Sequence, residues 1–126
     1  VRRAYDAFGR ADIDEFKTLL DDAIEWQIPA ELPYGGTFSG PDAVVKLLSA
    51  IPDYYLTRNL EITSFDEVGE LVIVRGRHFG QVKDGREYDS GFAAFYTVRD
   101  GRIVNMREFV DPGKVMLVLD SLRNAE

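Results

Sequence analysis

Residues 71–103 read LVIVRGRHFGQVKDGREYDSGFAAFYTVRDGRI, and this stretch decides the fold. Two Asp-Gly pairs, Asp84-Gly85 and Asp100-Gly101, interrupt runs rich in β-branched and aromatic residues. Asp-Gly supplies the backbone conformation that tight hairpin turns need. The spacing predicts three antiparallel strands in series, over 71–83, 86–99 and 102–110. At roughly 9 to 14 residues they are longer than the usual 5 or 6, so in a small domain they must twist and curl to enclose a core. Gly76, Gly80 and Gly91 lie inside them, where glycine marks a bend, a bulge or a close approach. If Lys83, Asp84 and Gly85 form a three-residue loop, Val82 pairs with Arg86. His78 then faces Ser90, Gly76 faces Phe92, Val74 faces Ala94 and Val72 faces Tyr96. Side chains alternate along a strand, so these residues share one face. A two-residue loop would turn one of the strands over.

Working outward, Thr57 to Val68 reads as a further strand. Upstream of it the pattern is helical. Val1 to Gly9 places Tyr5 and Phe8 on one face, and Gly9 ends that helix. Asp12 starts a second, because Asp12 and Glu15 have the spacing of a capping box. Ile13, Phe16, Leu19 and Leu20 follow at helical spacing, up to Asp21-Asp22. Ala23 to Ile28 is a short strand stopped by Pro29. Residues 29–40 hold two prolines and three glycines and read as a long loop, a place where function often resides. Pro41 opens a third helix, with Val44, Val45, Leu47, Leu48 and Ile51 apolar and Pro52 as its stop. Beyond the strands, Asp111-Pro112 opens a last helix with Val115, Leu119 and Leu122 on one side. Helices first and strands last argue for a single α+β domain over residues 1–126. In it a curved sheet, covered by the N-terminal helices, leaves a conical cavity open at one end.

The 126 residues are 45% hydrophobic and 29% charged, as expected of one globular domain that needs no staples. There is no cysteine, which excludes disulfides and thiolate chemistry and favours the cytoplasm. No apolar run approaches the roughly 20 residues of a membrane span, and no signal peptide is read. A formal net charge of -7 repels polyanions, so nucleic acid is not an expected partner. No metal-ligand spacing, phosphate loop or nucleophile–base triad is present; neither metal nor cofactor is expected. Asp12, Asp14, Glu15, Asp21 and Asp22 read as a solvated acidic face.

Three stretches carry a resemblance to a known superfamily. They are Asp21-Asp22-Ala23-Ile24-Glu25-Trp26 followed by Pro29; Gly36-Thr37-Phe38-Ser39-Gly40 leading into a helix; and Tyr96 to Ile103 followed by Arg107-Glu108-Phe109 and Asp111. In these and in element order the chain resembles the NTF2-like fold. Within it, the chain is similar to SnoaL-like polyketide cyclases and ketosteroid-isomerase-like proteins. The resemblance implies a cone-shaped α+β domain, but it fixes activity poorly, since one scaffold hosts many chemistries. In the isomerase branch it implies a carboxylate base near Gln27 or Ile28, an oxyanion-holding acid near Ala94 and a tyrosine on the first helix. Neither strand position is acidic here, and Tyr5 matches the tyrosine only roughly. The cyclase acid also falls near Ala94. The usual machinery of both branches is therefore mostly absent.

Other polar groups remain for the cavity. His78 is the only histidine, and its side chain titrates near neutrality; it is either a pocket acid/base or a packed strand residue. Glu108 shares a face with Met106 and Val110. It is either a carboxylate in apolar surroundings, suited to proton transfer, or a rim residue paired with an arginine. Arg107 and Phe109 face the other way. Trp26, the sole tryptophan, reads as core or pocket wall. Tyr34 stands in the long loop at the expected mouth, as a gate or as a plain loop residue. Tyr96 either offers an inward hydroxyl or is a core aromatic. Phe92 and Met106 complete the expected lining.

The expected protein is thus a small enzyme acting by proton transfer on a hydrophobic, oxygenated small molecule, as an isomerase, cyclase or dehydratase. A non-catalytic binding module and a dimerising interaction domain are the alternatives. Apolar residues on both strand faces suit a homodimer formed across the outer face of the sheet.

Overall fold

The computed structural model describes residues 1–110; the helix expected after Asp111-Pro112 lies outside the described residues. Helices α1 (Arg2–Gly9) and α2 (Ile13–Thr18) lead into strand β1 (Leu20–Ile28). Strand β2 (Gly36–Ser39), helix α3 (Pro41–Ala50) and a 3₁₀ turn (Ile51–Tyr54) follow. The chain then runs through β3 (Tyr55–Val68), β4 (Leu71–Val82), β5 (Glu87–Arg99) and β6 (Arg102–Val110). One six-stranded sheet has the order β2-β1-β6-β5-β4-β3. All its pairings are antiparallel except β1 with β6, which is parallel. No described helix is long and apolar enough to cross a membrane.

The expected cap forms: the Asp12 carboxylate accepts from the Glu15 N–H at 3.1 Å. The reciprocal half of a capping box does not. Glu15 instead reaches Arg10 at 2.9 Å and Arg3 at 3.3 Å, so part of the acidic cluster is engaged in a surface ion network. Helix α2 is shorter than the apolar spacing predicts. The Leu19 carbonyl accepts from the Ile103 N–H of β6 at 2.8 Å, which draws the chain into the sheet before Leu20. The 29–40 segment is also not wholly a loop. Residues 36–39 pair with β1 in the register Trp26↔Phe38, an edge strand too short to announce itself by alternation.

The hairpin register is the one the three-residue loop requires. The Val82 N–H donates to Arg86 O at 3.0 Å, and His78↔Ser90, Gly76↔Phe92, Val74↔Ala94 and Val72↔Tyr96 are Cα partners. Along β5, Tyr88, Ser90, Phe92, Ala94 and Tyr96 are buried and the residues between them face outward. Burying an aliphatic or aromatic side chain of this row contributes about 1.5–3 kcal/mol.

The curvature arises in β3. Its register against β4 shifts between Tyr55 and Thr57 and again between Ile62 and Ser64; each is a bulge that adds one residue. Gly80 and Gly76 lie opposite. A Cβ on Gly76 would stand 2.1 Å from Glu61 O, and one on Gly80, at φ +150°, 2.4 Å from Thr57 O. Only glycine admits such close approach. At Gly91 the nearest atom is 3.9 Å away, so this third glycine is not needed for the bend. The two bulges set the phase of β3: Tyr55, Arg58, Leu60, Ile62 and Phe65 all lie opposite the inward row of β4.

Helices α1, α2 and α3 cover the concave side with Ala4, Ala7, Phe16, Val44 and Leu47. They join Ile24, Trp26, Val74, Ala94, Ile103 and Met106 in one core. The result is the curved sheet under N-terminal helices that the sequence predicts.

Candidate functional site

Side chains do not fill the concave face completely. A cavity of about 190 Å³ lies under α1, walled by Tyr5, Phe8, Phe16, Leu60, Phe92 and Tyr96. A smaller one, about 40 Å³, lies toward the 29–35 segment, walled among others by Leu32, Tyr34, Ile51, Tyr55, Tyr88 and Ser90. Trp26, Leu48, Arg58, His78 and Glu108 line both. The two spaces are lobes of one site, and these residues form the neck between them.

His78 and Glu108 meet at that neck. The His78 Nε2 to Glu108 Oε1 distance is 3.6 Å, with both side chains mostly buried. That is slightly longer than a direct hydrogen bond. The pair arises because β5 aligns its neighbours: His78 of β4 partners Ser90, and Glu108 of β6 partners Ala94. The position where the resemblance implies an acid is thus alanine, and the strand beside it supplies the carboxylate. The His78 ring lies over Phe92, with centroids 4.4 Å apart and planes at 29°.

Neither His78 nitrogen has a hydrogen-bond partner within the protein, and the same holds for Trp26 Nε1 and Tyr88 OH, all four being buried. Buried polar atoms are seldom left unpaired, since each costs about 1–3 kcal/mol. Their convergence on one cavity marks a place built for a polar guest.

Tyrosines supply the remaining polarity. Tyr96 OH donates to Tyr5 OH at 2.8 Å, which leaves the Tyr5 proton for a third partner. Burial is the main cause that pushes the Tyr5 hydroxyl up to about 12; the Tyr96 bond and the Arg58 charge oppose it and the Glu108 charge adds to it. Burial likewise raises Tyr96, Tyr34, Tyr55 and Tyr88. These phenols keep their protons at neutral pH and act as donors. The Tyr34 and Tyr55 hydroxyls lie 2.7 Å apart and close the small lobe.

Of the residues singled out from sequence, His78, Glu108, Trp26, Tyr34, Phe92 and Tyr96 line the two lobes. Met106 is different. It is fully buried, in register with Trp26 and Tyr96, and packs in the core. Sequence reading missed Arg58, Tyr55 and Tyr88 and undervalued Tyr5. The signal for Arg58 was present in Gly76 and Gly80, whose bulges shift the inward phase of β3.

Comparison with known proteins agrees with this architecture. A family model described as a SnoaL-like domain matches residues 1–106. An uncharacterized protein of Mycobacterium tuberculosis is 34% identical over 119 residues, spanning 89% of this chain and 87% of the relative. An NTF2-like protein of unknown function from Burkholderia pseudomallei has a TM-score of 0.85 at 26% identity, covering 94% of this chain and 92% of that one. TerC, co-crystallized with polyporic acid, has a TM-score of 0.80 at 24% identity, covering 93% and 92%; that likeness is one of fold.

Proposed function

The chain belongs to the SnoaL-like domain family, and from that premise we propose that its cavity binds a hydrophobic, oxygen-bearing small molecule and moves a proton on it. The observation that carries this reading is the His78–Glu108 pair, 3.6 Å apart at the neck of a cavity with an otherwise aromatic and aliphatic wall. A neutral imidazole can take a proton from an acidified carbon or hydroxyl, and a neighbouring carboxylate stabilises the imidazolium that forms. Returning the proton at a second atom gives isomerisation. Delivering it to a departing hydroxyl gives dehydration, and the carbanion's attack on a carbonyl within the same molecule gives cyclisation. Tyr5, its oxygen already accepting from Tyr96, is the donor for negative charge developing on the ligand oxygen. Trp26 supplies wall and a further N–H.

Thermal-shift screening against steroids, terpenes and aromatic polyketides identifies binders. Each hit is then followed by NMR in deuterated water. Incorporation of deuterium by the wild type, lost in His78→Gln, is the expected result. Hits that never exchange favour the alternative of a non-catalytic binding module.

The outer face of β4–β6 suits a homodimer. Phe109 is 47% exposed, its ring stands edge-on to Phe95 at 5.7 Å, and Phe79 lies under Arg77. Sedimentation of the wild type as a dimer and of Phe109→Glu as a monomer is the expected outcome. A cytoplasmic location is supported by the cysteine-free sequence.

A further inference from the structure

Among the described residues Arg58 is the only permanent cation on the cavity wall, and it lines both lobes. Three arginines of β4 and β5 are matched to carboxylates, Arg75 to Asp66, Arg77 to Asp89 and Glu61, and Arg99 to Glu70, while Arg107 of β6 lies over Phe109 on the outer face. Among the described residues Arg58 has no such match; its nearest aromatic companion is Tyr55, with the guanidinium carbon 5.9 Å from the ring centroid. Its cross-strand partner is Gly80, which has no side chain to meet it. A guanidinium fork at a cavity whose lining carboxylate is not paired to it is a receptor for another.

The other polar groups point the same way. Trp26 Nε1 can only donate, and Tyr88 OH and Tyr5 OH retain protons to give. Against these donors the described lining offers one carboxylate, Glu108, which stands by His78 and makes no ion pair with Arg58 among the described residues. The neck thus carries a cation, Arg58, and a carboxylate, Glu108, that are not paired with each other. A guest with an anionic end is oriented, with that end at Arg58 and its apolar body in the aromatic lobe. At about 190 Å³ the larger lobe is below the roughly 300–1,000 Å³ of sites for drug-sized ligands, so the guest is small.

We infer that the ligand is a compact organic carboxylate, with a single ring or a short chain, anchored by Arg58. This inference rests on the reading of the cavity as a ligand site. Trp26, the sole tryptophan, stands at the neck and reports occupancy by its fluorescence. The probes are cinnamate with its neutral isostere cinnamamide, and benzoate with benzamide, titrated into wild type, Arg58→Gln and Arg58→Lys. The acids bind the wild type about tenfold or more tighter than the amides. Arg58→Gln brings the ratio near one without weakening the amides, and Arg58→Lys keeps part of it. Equal affinity of acid and amide for the wild type, or a preference that survives in Arg58→Gln, overturns the inference and leaves the ligand site standing. Failure of all four probes to change Trp26 fluorescence or thermal stability overturns the inference, and the ligand site falls with it only if the screen of steroids, terpenes and aromatic polyketides also finds no binder. Arg58 is exposed and unpaired by salt bridge, so loss of folding does not confuse the outcome; circular dichroism checks it.

Discussion

His78 lies nearly parallel to Phe92, ring over ring, at a centroid distance of 4.4 Å. The stack holds the imidazole plane while both ring nitrogens stay without partners in the protein. A histidine oriented by packing rather than by hydrogen bonds keeps its polar edges for a guest. Replacing Phe92 with leucine preserves apolar burial and removes the plane. Stability is expected to fall by about 1–1.5 kcal/mol in urea unfolding. Deuterium transfer to a bound ligand should slow by about tenfold, because the imidazole then turns among several orientations.

His78 and Glu108 should act as a unit. His78→Gln and Glu108→Gln each preserve volume and remove one titrating group. Each is expected to lower the exchange rate by about 10²-fold or more. The double variant should fall little further, since residues that work together are not additive. NMR exchange rates of the three variants check this; a double variant losing the product of the two single effects would separate the residues' roles.

The two bulge glycines should be far less tolerant than the third. Alanine at Gly76 or Gly80 meets a carbonyl oxygen at 2.1 or 2.4 Å, and at Gly80 it also forces an unfavourable φ. A loss of more than about 1 kcal/mol is expected from each. Gly91→Ala, with nothing nearer than 3.9 Å, should change stability by less than about 0.5 kcal/mol. Thermal or urea unfolding of the three variants decides.

Stability should fall at alkaline pH. The native Tyr5 hydroxyl is pushed up to about 12 from an ordinary 10.0, and Tyr34, Tyr55, Tyr88 and Tyr96 move in the same direction. Above pH 10 the unfolded chain sheds phenolic protons that the native state still holds. The stabilisation is complete below the unfolded value and is lost as pH rises through the native one. Phenolate absorbance should therefore appear late and together with loss of far-ultraviolet dichroism, rather than ahead of it. Tyr5→Phe and Tyr96→Phe, each removing one partner of the hydroxyl pair, should shift the alkaline midpoint.

Much of this was legible in the sequence, for local reasons. Asp84-Gly85 and Asp100-Gly101 carry their own turn geometry, so the hairpins were legible; the β4–β5 register and the inward placement of His78 depended on loop length, and the structure has the three-residue loop. Asp12 revealed its cap because the bond is made within three residues. What stayed hidden depends on distant partners. The end of α2 at Thr18 is set by Ile103, remote in sequence though on the neighbouring strand β6, and β2 exists only because β1 offers it an edge. Arg58 went unnoticed because plain alternation along β3 fails at two bulges. Met106 read as lining because it shares the inward side with Glu108, whereas Trp26 and Tyr96 enclose it.

The parallel seam between β1 and β6 governs how the curved sheet is completed. Each of these strands has its partner at the opposite extremity of the described sequence, and no hairpin can bring them together. A nascent chain halted before Arg102 would own every described helix and most of the sheet, yet leave two further naked borders, on β1 and on β5, and lack Glu108 altogether. Such an intermediate is ready to pair with a stranger. Insertion of β6 joins the two halves of the sheet and delivers Glu108 in the same step, and substitutions that delay that insertion should lower soluble yield even where the finished protein is unharmed.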